Sequence, residues 1–189
     1  DVVRIDQPAS SVEPDKGEVE RDRSSAALTL NRNKRSIILD LKAESGRRIF
    51  YQLCERADVI IEGYRPGVAS RLGVDYENIK KVNSRIVYCS ITGYGQSGPY
   101  RLVPGHDVNY ISVAGALSMV GQKGGMPAIP VNFLGDYGGG GLQAAFGIMT
   151  ALLVRERTGI GQSIDISITD GAVSLLASEY SNYFSTRRV

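Results

Sequence analysis

Short apolar runs alternate with helical patterns along the first half of the chain, and this alternation constrains the fold more than any other feature. Three runs rich in β-branched residues have the length and composition of buried strands: Ser36–Leu41, Asp58–Glu62 and Arg85–Ile91. Apolar residues at helical spacing lie between them: Glu44–Ala57, Val68–Leu72 and Tyr76–Val82. Strands that alternate with helices form right-handed crossovers and a parallel sheet. The sequence therefore predicts an α/β fold, a Rossmann-like parallel sheet flanked by helices.

The remaining segments extend this pattern. Residues 9–33 are polar and are expected to form a surface loop, and Gly121–Pro130 is a second loop, rich in Gly and Pro. Further elements are predicted as a helix, a mostly buried helix that Gly159 ends, a strand and a last helix: Val108–Val120, Gly141–Glu156, Gln162–Ile168 and Asp170–Tyr183.

Composition excludes several classes of protein. With 22 Lys+Arg against 20 Asp+Glu, the net charge of +2 is too small to indicate a nucleic-acid partner. No run reaches the roughly 18 consecutive apolar residues of a membrane span, so no membrane partner is expected. Cys54 and Cys89 lack metal-ligand or redox-motif spacing and are expected to be reduced core residues. One His and no paired Cys also argue against a zinc site.

A glycine pattern after the third strand imitates a dinucleotide site. Gly93, Gly95 and Gly98 match G-x-G-x-x-G, but Pro99 and Pro104 follow where the pattern requires a helix to receive the pyrophosphate. A nicotinamide or flavin site is therefore not expected here.

Two residues are candidates for acid/base chemistry. His106, the single histidine, lies in Gly105-His106-Asp107-Val108-Asn109-Tyr110, and Asp136 opens a run of four glycines before the long apolar segment. At the start of a helix Asp136 would meet unpaired amides, and glycines would let another molecule approach the backbone. Histidine suits proton transfer near neutral pH. The residues alone leave simpler interpretations equally open, a helix N-cap for Asp136 and a structural role for His106.

Several ordered motifs resemble the family III CoA-transferases (CaiB/BaiF). They are Asn33-Lys34-Arg35-Ser36 with the following Ile-Ile-Leu-Asp-Leu-Lys, Ala57–Glu62, Arg65-Pro66-Gly67, Tyr94–Pro99, Gly161-Gln162 and Asp165. Within that family, the stretch around His106 and the Asp136-Tyr137-Gly-Gly-Gly-Gly run resemble the α-methylacyl-CoA racemase branch. The resemblance covers nearly the whole chain.

The resemblance implies roles for particular residues. His106 and Asp136 would be the two bases on opposite faces of a substrate α-carbon. In transferases the residue at Asp136 is instead a nucleophile that forms an acyl-aspartyl anhydride and then an aspartyl-CoA thioester. Contacts to CoA would come from two segments after strands and one further arginine: Leu39, Asp40, Leu41 and Lys42; Gly63, Tyr64 and Arg65; and Arg71, which would pair with phosphate. CoA would be part of the substrate, with no resident cofactor.

Three functions remain open at this point. The first is racemisation of (2R)- and (2S)-2-methylacyl-CoA through an enolate, which the setting of His106 favours. The second is CoA transfer between an acyl-CoA and a carboxylic acid, favoured by Cys89-Ser90, where racemases tend to carry an Arg. The third is a non-catalytic subunit that binds CoA thioesters.

The resemblance also suggests that residues 1–189 are an incomplete large CoA-binding domain. Family members have an earlier first strand and a smaller C-terminal domain, and they form interlocked homodimers. Gln7 stands where transferases often have an Arg for the adenine end of CoA. A cytoplasmic location is expected, or a peroxisomal or mitochondrial one in a eukaryote.

Overall fold

The computed structural model describes residues 1–8 and 25–188, which belong to two compact units, Asp1–Leu53 and Cys54–Val189. The loop predicted at residues 9–33 lies partly outside the described residues, and its last part is corrected. Residues Ser25–Asn31 form helix α1 instead of a loop.

The first unit contains a two-stranded parallel sheet. Strand β1 (Val2–Asp6) pairs with β2 (Lys34–Ile38), and helix α2 (Glu44–Cys54) begins after a turn. β2 ends before the predicted boundary at Leu41 because Asp40 turns the chain. Its carboxylate accepts from the amide of Lys42 at 2.9 Å, and its carbonyl accepts from Ala43 at 3.1 Å.

The second unit contains a three-stranded parallel sheet with β4 at its centre. Strands β3 (Val59–Glu62), β4 (Val87–Thr92) and β5 (Ser163–Ser167) lie in the order β3-β4-β5. Short helices α3 (Val68–Leu72) and α4 (Tyr76–Ile79) connect β3 to β4, and the bounds of α3 are those predicted. The α/β prediction with parallel strands and flanking helices is confirmed.

The core of this unit forms around β4. Val87, Tyr88 and Cys89 are almost fully buried, as expected for a strand that packs on both faces. Both cysteines are free and buried, which confirms the prediction. Burial raises the pKa of Cys54 to about 12 and that of Cys89 to about 11, so both remain thiols at neutral pH.

Two helices predicted as continuous are each divided. The segment at 108–120 consists of α5 (Asp107–Val113) and a 3₁₀ turn (Ala116–Met119), separated by Gly115 in the left-handed conformation at φ 75°. The last helical segment consists of α7 (Ile168–Leu175) and α8 (Ala177–Thr186).

The long apolar helix begins eight residues before its predicted start at Gly141. A π-helix, Phe133–Leu142, continues directly into α6, Gln143–Thr158, and Gly159 ends it at φ 75° as predicted. The prediction that this helix is mostly buried is wrong for the described chain. Small residues such as Ala144 and Ala151 are buried, whereas four larger side chains are more than half exposed: Leu142, Phe146, Met149 and Leu153.

By length and composition alone, Phe133–Thr158 is apolar enough to cross a membrane, with a mean hydropathy of 1.3 in its most apolar window. Its residues instead contact β4, β5 and α7. Near its end, the Arg155 guanidinium is buried and donates to the Asp58 carboxylate at 3.0 Å, which ties the helix to the start of β3. The helix is therefore one layer of the α/β unit.

Candidate active site

A cleft of about 530 Å³ opens beyond the carboxyl ends of β3 and β4. Its walls come from the loops after these strands, the start of α5 and the first turn of the π-helix: Gly63–Pro66, Ile91–Tyr94, Arg101, Val103–His106, Asn109, Tyr110, Asp136 and Ile168. Ligands of open parallel sheets bind at such an edge, so the cleft lies where the sequence predicted chemistry.

His106 lines the cleft at the residue before α5. Its backbone is extended, at φ −129° and ψ 176°, which suits the position before a helix. The His106 amide donates to Asn109 Oδ1 at 2.9 Å, and its carbonyl accepts from the Asn109 amide at 2.9 Å. The histidine backbone is thus held from both sides by one residue of α5.

Asp136 lies on the same cleft, inside the first turn of the π-helix. The expectation that it stands just before the helix, as an N-cap, is wrong because the helix already begins at Phe133. The Asn132 side-chain amide donates to Asp136 Oδ2 at 3.4 Å. Partial desolvation raises the pKa of Asp136. The Asn132 hydrogen bond and the nearby His106 oppose this increase, and the charge of Asp107 adds to it.

The glycine run after Asp136 serves helix packing. A Cβ on Gly139 would stand 2.6 Å from the Ile168 carbonyl oxygen and 2.8 Å from the Ala172 amide, so only glycine lets the π-helix approach α7 this closely. The contact is reciprocal, since a Cβ on Gly171 would meet the Gly139 backbone. The expectation that these glycines admit another molecule to the backbone is therefore wrong for Gly139, whose open side is filled by α7.

The amides of this glycine run are engaged within the π-helix. Residues 138–141 lie inside the π-helix, where each amide bonds to the carbonyl five residues earlier. At the helix start, the amide of Tyr137 donates to the Asn132 carbonyl at 3.3 Å, and that of Asp136 donates to Asp107 Oδ2 at 2.8 Å. These donors are not directed toward a substrate.

Asp107 is a site residue that the sequence reasoning named only as part of a motif. Its side chain is 7% exposed and accepts the Asp136 amide, which links α5 to the π-helix. Gly135 makes this possible, because a Cβ there would stand 2.5 Å from Asp107 Oδ2. The other carboxylate oxygen, Oδ1, is buried without a hydrogen-bond partner among the described residues. Its position directly after His106 was the available sequence signal.

Tyrosines form a further part of the cleft that the sequence reasoning missed. The Tyr110 hydroxyl donates to the Gly105 carbonyl, and its ring meets Tyr94 edge-on with centroids 5.2 Å apart. Burial raises the pKa of Tyr110, with Tyr94 and Asp136 adding to the increase and Arg65 opposing it. Tyr110 lies four residues after His106, within α5.

The predicted CoA-binding residues fall into three groups. Gly63, Tyr64 and Arg65 line the cleft, and the Glu62 carboxylate accepts from the Tyr64 amide at 2.6 Å, which fixes the turn after β3. Arg71 is exposed on α3 and lies outside the cleft lining.

Leu39, Asp40, Leu41 and Lys42 belong to the first unit. The two leucine side chains are buried, and Arg47 donates to the carbonyls of Leu41 at 3.2 Å and Lys42 at 2.7 Å. The exposed groups of this turn are therefore the side chains of Asp40 and Lys42.

The G-x-G-x-x-G segment does not lead into a helix. The chain passes from Gly93 to His106 through bends and turns, and α5 begins at Asp107. The Gln96 amide donates to Asp165 Oδ2 at 2.9 Å, and the Thr169 hydroxyl donates to the Gly93 carbonyl at 2.8 Å. These bonds attach the loop to β5 and α7.

Within residues 1–8 and 25–188, no three His, Cys, Asp or Glu side chains cluster as metal ligands would.

Comparison with known proteins gives a consistent result. The profile of CoA-transferase family III matches residues 1–189. Human alpha-methylacyl-CoA racemase is 40% identical over 92% of the chain and 42% of its own length. Acetyl-CoA:oxalate CoA-transferase of Acetobacter aceti is 40% identical over 82% of the chain and 40% of its own length. A CaiB/BaiF family protein of Brucella suis superposes with a TM-score of 0.86 at 35% identity, covering all of this chain and 51% of that one. The chain thus spans less than half of these curated relatives.

Proposed function

The chain belongs to CoA-transferase family III, and from its cleft we propose that the protein racemises 2-methylacyl-CoA thioesters by 1,1-proton transfer. The observation that carries this proposal is the presence of His106 and Asp136 on one cleft, close enough for the imidazole to influence the pKa of the carboxyl. A racemase needs two acid/base groups at one carbon, and this pair supplies them.

The proposed reaction balances through one enolate. In one direction the Asp136 carboxylate takes the α-proton, the C–H electron pair moves into the thioester as an enolate, and the His106 imidazolium returns a proton to the opposite face. The reverse direction exchanges the roles. The raised pKa of Asp136 supports this assignment, because a more basic carboxylate is a better acceptor for the weakly acidic α-proton.

The enolate oxygen must be stabilised by donors where its charge develops. The amides of the glycine run are engaged in the π-helix, so they do not supply these donors. Removal of one oxyanion donor typically costs about 10²–10³ in rate.

CoA transfer is the second candidate. Asp136 would attack the acyl-CoA carbonyl and release CoA thiolate, which would then attack the resulting anhydride to give an aspartyl-CoA thioester and the free acid. An acceptor carboxylate would complete the exchange by the reverse steps. The cleft exposure of Asp136 supports this reading, as does the 40% identity to mouse succinyl-CoA:glutarate CoA-transferase. His106 has no necessary part in it.

A non-catalytic subunit that binds CoA thioesters is the third hypothesis, and it would leave both residues without a chemical role.

For either reaction we propose that CoA enters as substrate and that no resident cofactor is needed. Gly63, Tyr64 and Arg65 would hold it at the cleft, with Arg71 as a further cation for its phosphates. We also propose a homodimeric protein that acts in the cytoplasm, or in a peroxisome or mitochondrion in a eukaryote.

One experiment separates the candidates. (2R)-2-methylacyl-CoA is incubated with the protein in deuterated buffer, with and without a carboxylate acceptor, and followed by proton NMR. Loss of the α-proton signal with formation of the 2S epimer, independent of acceptor, is expected for the racemase. An unexchanged α-proton with acceptor-dependent release of the 2-methyl acid would reject the racemase in favour of transfer. If neither sample changes, only the hypothesis of a non-catalytic subunit remains.

A further inference from the structure

The Tyr110 ring connects the glycine loop after β4 with the backbone that carries His106. The hydroxyl donates to the carbonyl of Gly105, the residue before His106. The ring edge meets Tyr94, which belongs to the glycine loop. Tyr110 thus contacts both the loop and the backbone next to the proposed base.

Two glycines create the space for this ring. A Cβ on Gly93 would stand 2.8 Å from Tyr110 Oη, with ring carbons closer still, and a Cβ on Gly105 would stand 2.8 Å from Cε1. Real Cβ contacts are essentially never this short. Neither glycine has a positive φ, so what requires glycine at these positions is the tyrosine ring and not a turn conformation.

The loop itself is attached to the sheet. The Gly93 carbonyl accepts from both the amide and the hydroxyl of Thr169, at 3.0 and 2.8 Å, and Thr169 is buried at the start of α7. A continuous series of contacts therefore runs from Thr169 through Gly93 and Tyr110 to Gly105. Gly93, the first glycine of the pattern that imitates a dinucleotide site, is explained by this series, whereas Gly95 and Gly98 have positive φ.

We propose that Tyr110 is a positioning residue that, seated between Gly93 and Gly105, holds the His106 imidazole at the substrate α-carbon. The proposal rests on the proposed function for its catalytic consequence, but the positioning itself does not. Displacement of a reacting group by about 1 Å can cost on the order of 10²-fold in rate, so a backbone that is held on both sides of the base has a direct effect on turnover.

The variant Tyr110→Phe keeps the ring and removes the hydroxyl bond to Gly105. Tyr180→Phe is a matched control, because the Tyr180 hydroxyl also donates to a backbone carbonyl at 2.8 Å, that of Ala114 beyond the end of α5. Thermal unfolding of both variants shows whether each remains folded.

The first measurement needs no substrate. His106 is the single histidine of the chain, so its Cε1–H signal in a ¹H–¹³C spectrum is identified without assignment. Tyr110→Phe is expected to shift or broaden this signal, and Tyr180→Phe to leave it at the wild-type position. A Tyr110→Phe signal that superimposes on wild type overturns the proposal, whatever reaction the protein catalyses.

The second measurement connects positioning to catalysis. Deuterium exchange at the α-carbon is followed separately for the 2R and 2S thioesters, because each enantiomer gives its proton to a different base. Tyr110→Phe is expected to slow exchange about tenfold for the enantiomer that reacts with His106 and less than threefold for the other, with the Kd for acyl-CoA within twofold of wild type. Equal losses for both enantiomers would indicate general destabilisation and overturn the positioning role. A wild-type protein that exchanges neither enantiomer refutes the proposed racemase, while the histidine spectrum still decides the positioning.

Discussion

Replacement of Gly139 by alanine tests whether the glycine run after Asp136 exists for helix packing. An added Cβ would stand 2.6 Å from the Ile168 carbonyl oxygen and 2.8 Å from the Ala172 amide. Both neighbours are backbone atoms and cannot rotate away, so the π-helix and α7 must separate. Overpacking of this kind costs about 1–3 kcal/mol. For a chain of this size, each kcal/mol lowers the Tm by about 2–4 °C, which gives an expected decrease of about 2–12 °C.

Gly141 provides the matched control two residues along the same helix. Its Cβ would have the Asp136 carbonyl oxygen as nearest neighbour at 3.5 Å, an ordinary contact, and the residue is exposed. Alanine is favoured over glycine in a helix by about 0.5–1 kcal/mol, so Gly141→Ala is expected to raise the Tm by about 1–4 °C. Both values follow from calorimetry or circular dichroism. If Gly139→Ala melts at the wild-type temperature, or if both variants are equally destabilised, the packing argument is wrong.

Four further variants test the proposed site and the proposed contacts to CoA. His106→Ala is expected to lower epimerisation by at least 10² while acyl-CoA affinity stays near wild type, as measured by calorimetric titration, and Asp136→Asn is expected to be inactive in both the epimerisation and the transfer assay. Asp107→Asn keeps an oxygen for the Asp136 amide but removes a charge that raises the pKa of Asp136. The pKa of Asp136 should therefore fall. In the direction in which Asp136 is the base, the acidic limb of the pH profile of kcat/KM should move to lower pH. A limb that does not move would contradict the electrostatic effect of Asp107 on Asp136. Arg71→Ala should weaken acyl-CoA binding more at low than at high salt, because salt screens an exposed phosphate contact, whereas an equal loss at both would argue against that contact.

The parts of the fold that the sequence predicted well are those that depend on local pattern. The short β-branched runs became β2, β3 and β4 with small shifts at their ends, and Val68–Leu72 became α3 between two glycines in the left-handed conformation. Gly159 ended α6 for the same local reason. Such elements are specified by apolar spacing and by glycine conformation, both of which are visible in the sequence alone.

The π-helix was not predictable in the same way. A run of four glycines indicates a loop, because glycine loses the most backbone entropy in a helix. The helix forms because Gly139 meets Gly171, a residue 32 positions away, and this contact is visible only once α7 is placed. The same applies to Arg155, whose guanidinium is buried against Asp58, 97 positions away. In both cases a long-range contact determined the outcome.

In the candidate site, too, local motifs were predictable from the sequence and long-range contacts were not. His106, Asp136 and Arg65 were found from their motifs and do share a cleft. The residues that hold them were missed, because Asp107 reaches the Asp136 amide across 29 positions and Tyr110 acts through a ring that fits between two glycines. Motifs name reactive groups, but the supporting contacts depend on which elements become neighbours.

The contrast between reactive groups and the contacts that support them helps to explain how one family can catalyse two reactions. Asp136 would be needed by both proposed reactions, and Asn132 and Asp107 influence its pKa in either case. CoA transfer uses that carboxylate as a nucleophile and makes no demand on the opposite wall of the cleft, whereas proton transfer to the opposite face demands a second base with a fixed position. In the proposed racemase, the bonds between Asn109 and the His106 backbone and from Tyr110 to Gly105 would hold the backbone of that second base. These contacts hold the start of α5 whichever reaction occurs, but only the proposed racemase would also use them to position a base.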